Sequence, residues 1–214
     1  MIPVKVLAAR YLANADLALV KELGANPECK SLAMVTTDCD DATYIALDAA
    51  TKAAEVEVCY ARSFYAGAAN ASTPYAGEVI GILAGRTPGA VKSGMEAVLS
   101  ALKRVGFEEA GGVPYLAHTV SSVGSFLARE ANVPIGSSIA YLIAPPLESM
   151  YGLDGAMKAA DVKLCKLYSP PSETNFGGGL LSGTQSACEA ACAAFAQRVK
   201  EVALRAIEEE TNGF

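Results

Sequence analysis

The chain has 214 residues, 52% of them hydrophobic and 19% charged, with a formal net charge of −6. That composition builds a buried core and excludes a disordered chain, and it lacks the basic footprint that a nucleic-acid partner requires. No stretch reaches the roughly 18 to 20 apolar residues that span a bilayer, and the opening residues lack the apolar segment of a secretion signal, so a cytoplasmic protein without membrane or nucleic-acid partners is expected.

Taken in chain order, a helix is expected over 13–24, followed by a strand-like apolar run at 32–35. The acidic run Asp38-Cys39-Asp40-Asp41 comes next, read either as a solvated capping turn before 42–47 or as a site for a cation. A helix at 48–54 and an alternating strand at 55–61 lead into a Gly-, Ala- and Pro-containing loop over 63–77. A strand at 78–84 precedes a helix that starts at Thr87-Pro88 and carries an apolar stripe of Val91, Met95, Val98, Leu99 and Leu102. Gly106, Gly111, Gly112 and Pro114 mark a junction.

The second half runs through the same types of element. A helix is expected at 119–130, a strand at 140–144, a helix at 154–160 and a strand at 161–167. A loop follows over 168–179, then a short strand at 180–182 and a last helix with Cys188, Cys192, Phe195 and Val199 on one side. Residues 47–59 (LDAATKAAEVEVC) and 153–165 (LDGAMKAADVKLC) align without gaps at an offset of 106. The shared Leu, Asp, Lys and Cys positions identify a duplication. The expected architecture is α+β, with two tandem domains, 1–110 and 111–214, each a small mainly antiparallel sheet flanked by helices.

Motifs for chemistry are sparse. Phe176-Gly177-Gly178-Gly179 lacks the Lys-Ser/Thr of a phosphate-cradling loop and reads as a flexible turn or as pore or lid backbone. The acidic run lacks the ligand spacing of a calcium loop, so no metal site is expected. The sole histidine, His118, lies between apolar residues and reads as structural. The six cysteines form no CxxC pair and read as reduced, small core residues. Glu78 and Glu148 are available carboxylates, but no nucleophile, base and orienting group occur together, so no catalytic residue and no enzyme are expected. Loops as long as 63–77 and 168–179 at equivalent places in a repeat point to a shared role.

The segments Asp40-Asp41-Ala42-Thr43-Tyr44-Ile45-Ala46, Tyr65-Ala66-Gly67-Ala68-Ala69, Ala144-Pro145-Pro146-Leu147-Glu148 and Pro170-Pro171-Ser172-Glu173-Thr174-Asn175 resemble the tandem-domain shell proteins of ethanolamine-utilization bacterial microcompartments. The resemblance spans nearly the whole chain and implies two circularly permuted microcompartment domains. It implies a homotrimer that imitates a hexamer, tiles with other shell proteins and has a gated central pore, with no cofactor required and with cobalamin as a candidate for binding or passage there. Carried over, the small acidic channel that binds or passes ethanolamine falls on Asp40, Asp41 and Glu78, beside Phe107, Thr174, Asn175 and Phe176. The pore-gating loops fall on Tyr65, Gly67, Asn70, Pro74, Tyr75, Glu173, Gly177, Gly178 and Gly179. The three glycines stand where the family carries bulkier small residues, which implies a more mobile gate. A trimeric small-molecule-binding regulator without a shell is the alternative reading.

Overall fold

A computed structural model describes residues 1–63, 78–170 and 175–207. Two compact units emerge, and they are not the two halves of the chain: unit 1 comprises Met1–Gly106 with Val120–Ser137, and unit 2 comprises Phe107–Thr119 with Ser138–Phe214. The duplication and the packing therefore divide the molecule at different places, and a stretch of the second repeat belongs physically to the first unit.

Unit 1 contains β1 (Val6–Leu12), α1 (Leu17–Glu22), β2 (Ser31–Thr37), α2 (Asp40–Ala53), β3 (Val56–Ser63), β4 (Val79–Gly85) and α3 (Pro88–Leu102). Its four strands form an antiparallel sheet in the order β1-β2-β4-β3. Unit 2 contains β5 (Glu108–Ala110), β6 (Val113–Val120), β7 (Ser138–Ala144), α5 (Pro146–Ala159), β8 (Val162–Tyr168), β9 (Gly177–Gly183) and α6 (Gln185–Leu204), with strand order β5-β6-β7-β9-β8. Between β6 and β7 the chain forms α4 (Ser125–Ala131), which packs in unit 1.

Local chemistry explains the element boundaries. Thr87 and Thr184 cap α3 and α6 by accepting the Ala90 and Ala187 N–H groups, and Pro88 occupies the first helical turn, where its missing N–H costs nothing. Helix α2 begins at Asp40, far earlier than the expected 48–54, because Asp40 and Asp41 in its first turn and Lys52 in its last both favour the helix dipole. Helix α5 likewise begins at Pro146 rather than 154. Helix α4 is shorter than 119–130, since Thr119 and Val120 end strand β6.

The repeat is visible in the backbone. Strands β3 and β8 each slip register in their pairing with the central strand, between Val58 and Tyr60 and between Leu164 and Lys166. The residue left over at each bulge is the repeated cysteine, Cys59 or Cys165. Cys188 and Cys192 instead lie in the core of unit 2 with Leu153, Leu181 and Phe195. All six cysteines carry free thiols. His118 lies half-buried on β6.

Gly177, Gly178 and Gly179 correct the loop expected to run to residue 179. They are the buried first residues of β9, paired with Ala144, Ile143 and Leu142 of β7. Glycine is required there because backbone approaches backbone. A Cβ on Gly178 would collide with the Leu142 carbonyl oxygen, and one on Gly179 would lie 2.6 Å from the Lys166 carbonyl oxygen. Three glycines expected in a loop thus open a strand that lies between β7 and β8 in the sheet.

Candidate functional site

In unit 1 the chain leaves β2 through Thr37-Asp38-Cys39 and enters α2. Threonine hydroxyls tie this corner: Thr37 Oγ1 lies 2.7 Å from Thr43 Oγ1, and both hydroxyls reach the Cys39 carbonyl, at 3.0 and 2.7 Å. Asp38 accepts the Lys5 N–H at 2.7 Å, and Asp40 accepts the Asp41 N–H at 2.9 Å. Asp40 and Asp41 are buried, at 7% and 8% exposure. Glu78 enters the same neighbourhood at the start of β4, where its N–H donates to the Thr37 carbonyl at 2.8 Å.

The electrostatics record how close the carboxylates lie. Glu78 still reaches solvent, yet partial burial first, and the charges of Asp40 and Asp38 next, push its carboxyl above the ordinary glutamate value. Burial pushes the Cys39 thiol up, and the charges of Asp41, Asp40 and Glu78 add to that push. The Tyr44 hydroxyl is pushed up to about 12, chiefly by burial, while a hydrogen bond to Ser63 opposes the shift and Asp40 reinforces it. Repulsion among like charges is relieved when a cation enters or when Glu78 takes up a proton.

The sign for stability follows. The folded chain holds a proton at Glu78 that the unfolded chain has released, so stability falls as pH rises from 4.5, the ordinary value, through the raised one, and stays lower above it. Glu78→Gln is expected to stabilise the protein at pH 7 by about 0.5 kcal/mol, the scale of exposed charge interactions, and to give no gain at low pH where Glu78 is already neutral. Urea titrations at the two pH values check this; an equal effect at both would remove the repulsion as its cause.

In unit 2, Phe107 and Phe176 meet edge to face, with centroids 5.7 Å apart and planes at 79°. Asn175 beside them adopts the left-handed conformation (φ 64°), which asparagine tolerates well, and its side chain is exposed. Six of the expected channel residues are therefore placed: Asp40, Asp41 and Glu78 in unit 1, and Phe107, Asn175 and Phe176 in unit 2. Thr174 and Glu173 lie outside the described residues, as do Tyr65, Gly67, Asn70, Pro74 and Tyr75. Asp38, part of the acidic run expected as a turn or a cation site, belongs to this corner although the resemblance does not carry it over, and Tyr44 is an added member. Extending α2 back to residue 40 would have found Tyr44, because residues 40, 41 and 44 then share a helical face.

No helix among the described residues is long and apolar enough to cross a membrane. Among the same residues, no three His, Cys, Asp or Glu side chains are grouped to hold a metal ion.

A layered α+β unit built twice in one chain, with an acidic corner, defines a fold class, and its family assignment follows from comparison. The BMC domain family matches residues 31–112. The bacterial microcompartment shell protein EutL of Clostridium perfringens is 54% identical over 202 residues, covering 92% of this chain and 93% of that protein. EutL of Salmonella typhimurium is 44% identical over 207 residues, covering 95% and 94%. The crystal structure of the ethanolamine utilization protein EutL from Leptotrichia buccalis superposes with a TM-score of 0.93 at 53% identity, covering 97% of this chain and 98% of that one. The chain belongs to the EutL family of bacterial microcompartment shell proteins.

Proposed function

We propose that the protein is a structural, non-enzymatic subunit of an ethanolamine-utilization shell, that three copies form a pseudohexamer with a gated central pore, and that the acidic corner binds or passes ethanolamine. The observation that carries the ligand is the cluster of Asp40, Asp41 and Glu78, where partial burial first and the charges of Asp40 and Asp38 next raise the Glu78 carboxyl. Ethanolamine carries an ammonium at neutral pH, as lysine does. That ammonium relieves the repulsion, while the partner for the ethanolamine hydroxyl is what the resemblance implies for Asn175 or Thr174. An interaction of about 1 kcal/mol in water, rising to about 4 at intermediate dielectric, gives weak binding that suits transit. Family membership supports the shell role, and two repeats per chain supply six from three copies.

Calorimetric titration of ethanolamine into the wild type and Asp40→Ala tests the site. Affinity is expected to fall by about five-fold or more in the variant, the equivalent of about 1 kcal/mol. Equal affinities would remove Asp40 from the site. Electron microscopy tests the shell role separately: trimers that join into two-dimensional sheets support it, and trimers that stay single under all conditions favour a regulator.

A further inference from the structure

The carboxylates of the acidic corner stand on two elements: Asp40 and Asp41 open α2, and Glu78 precedes β4. Thr37, the last residue of β2, touches both. Its carbonyl accepts the Glu78 N–H at 2.8 Å. Its hydroxyl oxygen accepts the Cys39 N–H at 3.2 Å. Cys39 is the N-cap of α2, so whatever fixes its backbone fixes where the helix starts, and with it Asp40 and Asp41.

Thr43 completes the link from the end of the first helical turn. The two hydroxyl hydrogens can be assigned so that every group is used: Cys39 N–H to Thr37 Oγ1, Thr37 O–H to Thr43 Oγ1, and Thr43 O–H to the Cys39 carbonyl. This ring starts and ends on Cys39. Both threonines are completely buried, so water does not compete for these hydrogen bonds.

The second repeat is an internal control. Ser138 of β7 pairs with Gly183 as Ser31 of β2 pairs with Gly85, which puts Ala144 in the place of Thr37 and Phe176 in the place of Glu78. Helix α5, aligned with α2 through Leu47/Leu153, carries Pro146, Leu147 and Ser149 in the places of Asp40, Asp41 and Thr43. Ala144 has no hydroxyl, and Ser149 Oγ turns instead to the Pro146 carbonyl at 2.9 Å. The repeat without these carboxylates is also without the ring, and its helix forms all the same. Starting the helix therefore does not require the ring.

Further along α2, other contacts hold the helix. Asp48 accepts the Gly124 N–H at 2.7 Å and the Leu127 N–H at 2.9 Å, Thr51 Oγ1 accepts the Ser125 N–H at 3.0 Å, and the Phe126 ring of α4 lies 6.0 Å from that of Tyr44. Loss of a threonine hydroxyl loosens the first turn and leaves the remainder of α2 in place.

We propose that Thr37 and Thr43 are positioning residues for the cation site, holding Asp40 and Asp41 against Glu78. This rests on the ethanolamine reading above and names the residues that shape its site. Both act through the Cys39 backbone rather than on the ligand.

Thr43→Val removes one hydroxyl and keeps the shape of the side chain, while Thr43→Ser keeps the hydroxyl. Calorimetry is expected to show ethanolamine binding weakened by about five-fold or more in Thr43→Val and within about two-fold of wild type in Thr43→Ser. Carbon NMR of the Glu78 carboxyl gives a readout without ligand. Raised in wild type, it is expected to titrate closer to 4.5, the ordinary value, in Thr43→Val as Asp40 recedes. Wild-type affinity in Thr43→Val overturns the inference, as does a Thr43→Ser variant as weak as Thr43→Val, or an unmoved Glu78 titration. A wild type that binds no ethanolamine overturns the ligand reading, and the Glu78 titration then decides the positioning role alone. Urea titrations show that each variant is folded. Thr37→Val breaks the same ring at its other hydroxyl, is held to the same expectations, and decides the matter if Thr43→Val does not fold.

Discussion

Gly178→Ala is expected to destabilise unit 2 by about 3 to 5 kcal/mol, one of the two largest effects of any single substitution considered for this chain. Gly178 has φ 153°, a conformation that side chains rarely adopt, and strain of this kind costs about 1 to 3 kcal/mol. The added methyl would also meet the Leu142 carbonyl and lie 2.9 Å from the Ile143 Cα. Both belong to β7, which is held against β9 over its whole length from Ser138 to Ala144. Backbone cannot turn aside as a side chain does, so overpacking adds about 1 to 3 kcal/mol. Gly112→Ala is the control: φ is 83°, but nothing lies within 4 Å of its Cβ, so only conformational strain remains. Urea titration followed by circular dichroism measures both, and a loss at Gly178 no larger than at Gly112 would refute the close-approach account.

Asp48→Ala is expected to cost about 3 to 4 kcal/mol in unit 1. The carboxylate accepts the N–H groups of Gly124 and Leu127 and pairs with Lys52. Alanine leaves two buried donors at the start of α4 without their acceptors, each costing about 1 to 3 kcal/mol. Gly124 itself is packed so tightly that an added Cβ would lie 2.8 Å from the Asp48 carbonyl oxygen and would strike the Thr51 hydroxyl, so the helix cannot settle closer to compensate. Asp48→Asn keeps one acceptor oxygen and turns an amide donor toward the other N–H, which places its cost between wild type and alanine. Hydrogen exchange at the Gly124 and Leu127 amides should accelerate by about 100-fold in Asp48→Ala, the equivalent of about 3 kcal/mol at 1.4 kcal/mol per decade. Unchanged exchange would show that α4 is held by Phe126 and Leu127 alone.

What could be read from the residues depended on whether the signal was periodic and local. The repeat at 47–59 and 153–165 places the helix ends and the following strands, because each is set by the same short stretch, whereas the bulges at Cys59 and Cys165 show only in the strand pairing. Helix α2 was begun too late because Asp38–Asp41 has the composition of a turn, although acids in a first turn also start a helix. The glycines at 177–179 were read by their freedom, when β7 on one side of β9 and β8 on the other demand their smallness. Helix α4 has a clear apolar side, but nothing local to 120–137 says which sheet it will cover. The acidic corner was legible as charge, while its assignment to Asp40, Asp41 and Glu78 came from the family resemblance. Tyr44 stayed hidden because it joins the corner only once α2 is extended to residue 40.

The placement of α4 also bears on how the chain is made. A polypeptide leaves the ribosome in order, at about 5 to 20 residues per second, and domains generally fold as they emerge. Unit 1 cannot close over Tyr44, Asp48 and Thr51 until residues 120–137 are available, by which time β5 and β6 of unit 2 have already been synthesised. The two units are therefore interleaved in time, and a nascent chain halted at residue 110 carries an open face where Asp48 awaits its helix.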